Sequence, residues 1–205
     1  MLTATHRKTL SLPDGRNIVI RPLTEEDFEP LRAFFFSLSD EDRLFLRHDV
    51  RDPDLARKWS EDLNTKRMVA IIALEGDQVV GTGRLYFMYH SWMQHVGHIR
   101  LITARTHRRL GLGSMLTREL VDVATERGLE KIQAHIVADS AGAVRMLRAL
   151  GFEQQAVLKD MVKDLTGKRH DLAIWVNDVS ELRWILEDWI QDNMIPAFRV
   201  PGGGA

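Results

Sequence analysis

The hexapeptide Arg108–Arg109–Leu110–Gly111–Leu112–Gly113 decides the fold, because it lies between an apolar run and a long amphipathic stretch. Residues His98–Thr103 before it have the composition of a strand, and the apolar residues of 114–127 after it recur at helical spacing. Two glycines between a strand and a helix allow a tight turn with outward N–H groups, and the helix N-terminus adds partial positive charge. The sequence therefore predicts an anion site that suits phosphate or pyrophosphate.

The spacing of the glycines excludes two common phosphate loops. A Walker loop requires a Lys–Ser/Thr pair after its last glycine, whereas Gly113 is followed by Ser114 and Met115. A dinucleotide-binding fingerprint requires a third glycine where Leu116 stands. The pattern that remains is R-x-x-G-x-G.

Composition narrows the class of protein. A length of 205 residues allows one domain, or a domain with an extension. The net charge of -1 argues against a nucleic-acid partner, and the absence of cysteine excludes disulfides, Cys-type zinc sites and a thiol nucleophile. Neither an export signal nor an apolar window of membrane-spanning length is evident, so we expect a cytoplasmic protein with no membrane partner.

The order of elements predicts a mixed α/β sheet with helices on both faces. The chain reads as a strand, two or three helices, three strands, a helix, a strand, a helix and two strands. Thr24 and Asp27 have the spacing of a capping box at the first helix. A last amphipathic helix is predicted at Ser180–Gln191. We therefore divide the chain into a domain at 1–177 and, at 178–205, a helical extension with a loose tail.

Four motifs in this order resemble those of the GNAT N-acetyltransferases. R-x-x-G-x-G resembles their acyl-CoA pyrophosphate loop, and Arg21–Pro22 with Asp27 resembles their R-P-x-x-x-x-D start. The helix end Leu150–Gly151–Phe152 resembles their second hallmark, and Lys159–Met161 with Gly167–Asp171 resembles their terminal strand pair. The resemblance covers roughly residues 17–176. It implies a mixed, mostly antiparallel, twisted sheet of about seven strands.

The resemblance also implies an activity and a cofactor site. Family members transfer an acyl group, usually acetyl, from acyl-CoA to an amine, and no metal is expected. Pantetheine lies where two strands splay apart, which points to the backbone of Leu101, Ile102 and Thr103. Arg108 or Arg109 is expected to add a charge-assisted bond to pyrophosphate. The pyrophosphate would accept from the backbone N–H groups of Arg109, Leu110, Gly111, Leu112, Gly113 and Ser114.

The expected base departs from the family pattern. Many members carry a glutamate where His98 stands, and a histidine that titrates near pH 6.5 suits deprotonation of a substrate ammonium. The alternative is a strand histidine that serves structure alone, and His95 is the reserve candidate. His90, His95 and His98 lack a cysteine or carboxylate partner at ligand spacing, so we do not expect a metal site.

The position of the expected general acid also departs from the family pattern. Many members protonate the departing thiolate with a tyrosine, and Leu147 stands at that position. Ser140 replaces a frequent asparagine and is expected to cap the following helix. The thiolate would then take its proton from water, Tyr86 or Tyr89, and we place Tyr89 with His98 as the catalytic candidates. Tyr89 also belongs to a predicted loop at Tyr89–Gly97 that lines an acceptor site.

The acceptor is the least determined feature. The segment from Phe34 to Phe45 resembles a stretch of bacterial protein-lysine acetyltransferase domains, which act on acyl-CoA synthetases. A lysine of such a partner is therefore one candidate, and small-molecule amines are another. Two rival readings are a non-catalytic acyl-CoA-binding module and an enzyme that uses the loop for nucleotide phosphate. The apolar face of the last helix must be buried, either in a homodimer or within the chain.

Overall fold

The computed structural model describes residues 7–43, 52, 54–64, 68–87 and 92–193, and its strands form one eight-stranded sheet. The sequence predicted about seven. The strand order is β1-β2-β3-β4-β5-β6-β8-β7, and β5–β6 is the parallel pair among otherwise antiparallel described strands. The strands are β1 (Lys8–Ser11), β2 (Asn17–Pro22), β3 (Met68–Glu75), β4 (Gln78–Phe87), β5 (Val96–Thr103), β6 (Lys131–Val137), β7 (Glu153–Lys163) and β8 (Arg169–Asp178).

Helices cover both faces of the sheet, as the element order predicted. They are α1 (Phe28–Ser37), α2 (Asp40–Arg43), α3 (Leu55–Asn64), α4 (Leu112–Glu126), α5 (Ala141–Ala149) and α6 (Val179–Asn193). Short 3-10 turns at Glu25–Asp27 and Arg105–His107 precede α1 and the anion loop. Of the helices in the described part of the chain, none has the length and apolarity needed to cross a membrane.

The entry to α1 is held by a local polar cluster. The Thr24 backbone N–H and hydroxyl each donate to Asp27 Oδ2 at 2.9 Å, which confirms the predicted link between these residues. Arg21 donates to both carboxylate oxygens of Asp27, at 2.6 and 2.7 Å. The R-P-x-x-x-x-D motif is therefore a forked ion pair that ties the end of β2 to the start of α1.

Two apolar cores, one on each face, hold the helices to the sheet. On one face, α4, α5 and α6 share a core in which Leu116 and Leu120 are fully buried. On the other face, α1 and α3 pack on β2, β3 and β4 through side chains such as Leu31 and Ile72. Burial of each such side chain stabilises the fold by roughly 1.5–3 kcal/mol.

The last helix runs back along α4. Val179 N donates to Glu130 O at 2.8 Å, just beyond the C-terminal end of α4. Leu182 and Leu186 are fully buried in the α4 core, so packing within the chain buries much of the apolar face of α6. The ring of Trp189 then contacts Gly111, at the other end of α4. The tail predicted at residues 201–205 lies outside the described residues.

Candidate active site

The loop between β5 and α4 has the geometry of an anion site. Two of its residues have left-handed backbone, Arg109 at φ 64° and Gly111 at φ 83°. Gly111 is the N-cap of α4, and the first bond of the helix runs from Met115 N to Gly111 O at 3.0 Å. N–H groups in the first turn of a helix have no intrahelical acceptor, so those of Leu112, Gly113 and Ser114 are available to an anion.

The two arginines of the loop differ in their surroundings. Arg108 Nη2 lies 2.8 Å from Asp42 Oδ1, and Arg105 Nε lies 3.8 Å from Asp42 Oδ2. Burial raises the pKa of Asp42, but hydrogen bonds from Arg108 and Ser39 outweigh burial and hold that pKa below its ordinary value. Arg108 therefore links the loop to α2, although both Arg108 and Arg109 are exposed.

A buried histidine anchors the base of this loop, and sequence reasoning missed it. His107 is 4% exposed, and its Nε2 lies 2.9 Å from Arg16 Nη1 and 3.1 Å from Glu75 Oε2. Arg16 Nη2 also donates to the Thr106 carbonyl oxygen at 2.9 Å. The β1–β2 hairpin, through Arg16, and the end of β3, through Glu75, thus fix residues 106 and 107 at the start of the loop.

The parallel strands β5 and β6 separate at the level of the predicted pantetheine residues. Their ladder runs from Val96↔Lys131 to Ile99↔Ala134. Beyond it, β5 continues on β4 as far as Thr103↔Gly81, and β6 continues on β8 as far as Val137↔Leu172. The backbone of Leu101, Ile102 and Thr103 therefore borders the opening between the strands, where the family resemblance placed pantetheine.

Three ring side chains form a row across the sheet where this opening begins. Tyr86 of β4 is the register partner of His98 on β5, with ring centroids 6.3 Å apart. His135 of β6 follows on the other side, with its ring centroid 4.4 Å from that of His98. Burial lowers the pKa of His135, and the positive charge of Arg100 lowers it further. The row lies on the face of the sheet that α1 and α3 cover, because Tyr86 packs against the apolar core on that face.

His135 lies beside His98, and the sequence analysis did not select it. Alternation along β6 puts His135 on the same face as Gln133, and Gln133 is the register partner of His98. The parallel pairing of β5 with β6 is what joins the two histidines, and this pairing is a property of the topology.

Three further positions were singled out around the expected acid: Leu147, Ser140 and Tyr89. Leu147 is 1% exposed in the α4 core, so the position of the family tyrosine holds an apolar side chain. Ser140 is the N-cap of α5, but its side chain makes no capping bond, so that prediction was wrong. Its backbone is held instead by bonds that involve Val137 O and Val144 N, both at 3.0 Å. Tyr89 lies outside the described residues.

Comparison with known proteins identifies the family. The model of the acetyltransferase (GNAT) family matches residues 29–152. The chain belongs to this family. It is 31% identical over 153 residues to an acetyltransferase of Pseudomonas aeruginosa, with 71% of this chain and 80% of that protein covered. The GNAT resemblance of the sequence motifs is thereby confirmed, and the chain is an acyl-CoA-dependent N-acetyltransferase.

Two further similarities are more distant. The chain is 22% identical over 132 residues to thialysine N-epsilon-acetyltransferase of Caenorhabditis elegans, with 64% of this chain and 80% of that protein covered. The fold is similar to that of Mycobacterium smegmatis RimJ, solved in complex with CoA-disulfide, with a TM-score of 0.72 at 16% identity. That similarity covers 89% of this chain and 93% of RimJ. The mixed, mostly antiparallel GNAT sheet is therefore confirmed.

Proposed function

We propose that this acetyltransferase moves an acetyl group from acetyl-CoA to a primary amine by direct attack, with His98 as the general base. The observation that carries this proposal is the position of His98 on β5, where β5 and β6 begin to separate. The anion loop lies at the far end of the same strand, after Thr103. A donor held at both places would bring its thioester toward the histidine row.

The reaction then needs one proton acceptor and one proton donor. His98 takes a proton from the acceptor ammonium, and the free amine nitrogen attacks the thioester carbonyl carbon. Collapse of the tetrahedral intermediate breaks the C–S bond, and its electron pair leaves with the CoA sulfur. The acetylated nitrogen gives its remaining extra proton to solvent. Hydrogen bonds from the protein to acetyl-CoA would position the thioester, and this proximity supplies much of the rate.

His135 favours this role for its neighbour. Because the pKa of His135 is lowered, its ring is neutral near pH 7 and does not oppose a positive charge on His98. The ring centroids of the two histidines are 4.4 Å apart, so a charged ring at position 135 would oppose the positive charge that His98 takes up as a base. We infer that the neutral His135 leaves His98 able to accept the proton.

The departing thiolate is protonated by water or by Tyr86. Tyr86 lies in the same row as His98 and is half-buried between β4 and the α1 core. The apolar Leu147 leaves α5 without a hydroxyl at the family position. Thiolate is stable enough as a leaving group that solvent protonation suffices.

For the acceptor, we propose a lysine side chain, with a protein lysine of an acyl-CoA synthetase as the first candidate. The resemblance of residues 34–45 to protein-lysine acetyltransferase domains supports a protein substrate. The thialysine acetyltransferase relative acts, by its name, on an amine at the ε position of a lysine analogue. A free small-molecule amine is therefore the second candidate.

Radiolabelled acetyl-CoA separates these candidates. The full chain is incubated with a purified acyl-CoA synthetase and, separately, with lysine, thialysine, polyamines and aminoglycosides. Label in the synthetase, lost when its active-site lysine is replaced by arginine, is the expected result. Acetylation of the small amines without any label in the synthetase would refute the protein acceptor.

The role of His98 is tested by substitution and rescue. His98→Ala should lower kcat by about 10²–10⁴-fold, the usual contribution of a general base, with the KM for acetyl-CoA little changed. Added imidazole should restore part of the lost rate. His135→Gln should keep most of the rate, because a neutral side chain replaces a neutral ring. An equal loss in His95→Ala, or no loss in His98→Ala, would contradict the assignment.

A further inference from the structure

The C-terminal helix reaches the acyl-CoA loop although it lies outside the matched family segment. The family model ends at residue 152, and α6 begins at Val179. From its start near Glu130, α6 follows α4 back to the loop end, held by the buried Leu182 and Leu186. A helix outside the matched family segment is therefore packed against the predicted anion loop.

Trp189 makes the decisive contact. A Cβ atom added to Gly111 would lie 3.1 Å from Trp189 Cζ2 and 3.4 Å from Cζ3, with Cη2 closer still. The indole ring therefore lies directly against the backbone of Gly111. The side chain is half-buried, so part of it is open to solvent.

A second contact on the same helix face repeats this arrangement. Ile185 is one turn before Trp189, and its Cδ1 would lie 2.5 Å from a Cβ added to Gly151. Gly111 belongs to the loop hallmark and Gly151 to the second hallmark, and both have left-handed backbone. One face of α6 thus packs against one glycine of each hallmark.

The loop conformation needs such support. Arg109 carries a Cβ and still adopts φ 64°, two residues before Gly111 at φ 83°. Left-handed backbone is unfavourable for a residue with a side chain and persists only when the surroundings hold it. His107 fixes the loop from below through Arg16 and Glu75, and the indole ring supplies a wall beside Gly111.

We propose that Trp189 is a positioning residue for acyl-CoA: it holds the loop in the conformation that presents the N–H groups of Leu112, Gly113 and Ser114 to the donor pyrophosphate. The inference rests on the proposed function only in that the loop binds this pyrophosphate. Its consequence is that α6 contributes to the affinity for the donor through the loop.

The test compares two tryptophans of α6. Trp189→Ala removes the ring beside Gly111, and Trp184→Ala removes a ring that is 67% exposed on the same helix. Acetyl-CoA binding is measured by calorimetry, and turnover is measured with acetyl-CoA and with acetylpantetheine, which lacks the pyrophosphate. If the loop of Trp189→Ala adopts the binding conformation about one-tenth of the time, the Kd for acetyl-CoA rises about tenfold. Trp184→Ala should match the native chain.

The truncated donor distinguishes positioning from general damage. In Trp189→Ala, the KM for acetyl-CoA should rise about tenfold, while the KM for acetylpantetheine and kcat stay unchanged. Equal losses with both donors, or an unchanged Kd for acetyl-CoA, would overturn the inference. If the native chain itself binds no acetyl-CoA, the loop assignment of the proposed function fails instead.

A fluorescence measurement decides the matter if Trp189→Ala does not fold. Trp189→Phe and Trp184→Phe keep an aromatic ring at each position and remove one indole apiece. Acetyl-CoA should change the tryptophan emission of the native chain and of Trp184→Phe, because the Trp189 indole borders the loop. The same change in Trp189→Phe would place the reporting indole elsewhere and overturn the inference.

Discussion

Substitution of Gly111 by alanine should destabilise the fold more than strain alone explains. Left-handed backbone costs a residue with a Cβ about 1–2 kcal/mol. At Gly111 the new methyl group would also overlap the ring of Trp189. Forced overpacking costs typically about 1–3 kcal/mol. The sum is roughly 2–5 kcal/mol, a large part of the ~5–15 kcal/mol that stabilises an ordinary domain.

Gly15 supplies a matched control for this estimate. It has φ 87°, close to the 83° of Gly111, and a Cβ added there would have no atom within 4 Å. Gly15→Ala therefore carries the backbone cost without the overlap, and both substitutions restrict the unfolded chain equally. The free energies of unfolding of the two variants should differ by about 1–3 kcal/mol. For a chain of this size, that separates their Tm values by roughly 2–12 °C.

The assay is urea unfolding followed by circular dichroism, extended to a double-mutant cycle. In a Trp189→Ala background, Gly111→Ala should cost no more than Gly15→Ala does, because the ring that it would overlap is gone. Equal costs for Gly111→Ala and Gly15→Ala in the native background would refute the contact between α6 and the loop. So would a cost at Gly111 that does not change when Trp189 is removed.

Two other substitutions test the polar contacts around the site. Asp27→Asn breaks the forked ion pair with Arg21 and should cost about 2–3 kcal/mol at pH 7. Burial raises the pKa of Asp27, but hydrogen bonds from Arg21 and Thr24 outweigh burial and hold that pKa below its ordinary value. The ionised Asp27 therefore stabilises the fold fully above the pKa of the unfolded chain. This stabilisation is lost as the pH falls through the pKa of the folded state. Asp42→Asn removes a negative charge beside Arg108, and the Kd for acetyl-CoA should fall about two- to fivefold at low salt.

The measurements for these variants are direct. Urea unfolding at pH 7 and pH 3 should show the difference between the native chain and Asp27→Asn shrinking at the lower pH, and a constant difference would contradict the ion-pair account. Calorimetry at two salt concentrations tests Asp42→Asn against Asp77→Asn, an exposed carboxylate in the β3–β4 turn. Weaker acetyl-CoA binding in Asp42→Asn would mean that Arg108 needs Asp42 to be held in place.

Local structure was predictable from the chain because its causes lie within a few residues. The glycines of the anion loop, the pairing of Thr24 with Asp27 and the helical periodicity after Gly113 each describe contacts between near neighbours in sequence. One local prediction was wrong. Ser140 is at the N-cap of α5 as expected, but its side chain does not make the capping bond.

The sequence by itself determined the glycine turn between β5 and α4 and, through its motifs, the acetyltransferase family. Only the tertiary structure brought His135 to His98, Asp42 to Arg108 and Trp189 to Gly111. Each of these pairs is separated by dozens of residues, and each depends on which strand or helix lies beside which. Turn, cap and helix preferences act between near neighbours in sequence, whereas these contacts follow from which strands pair across the sheet and from the packing of the helices on it.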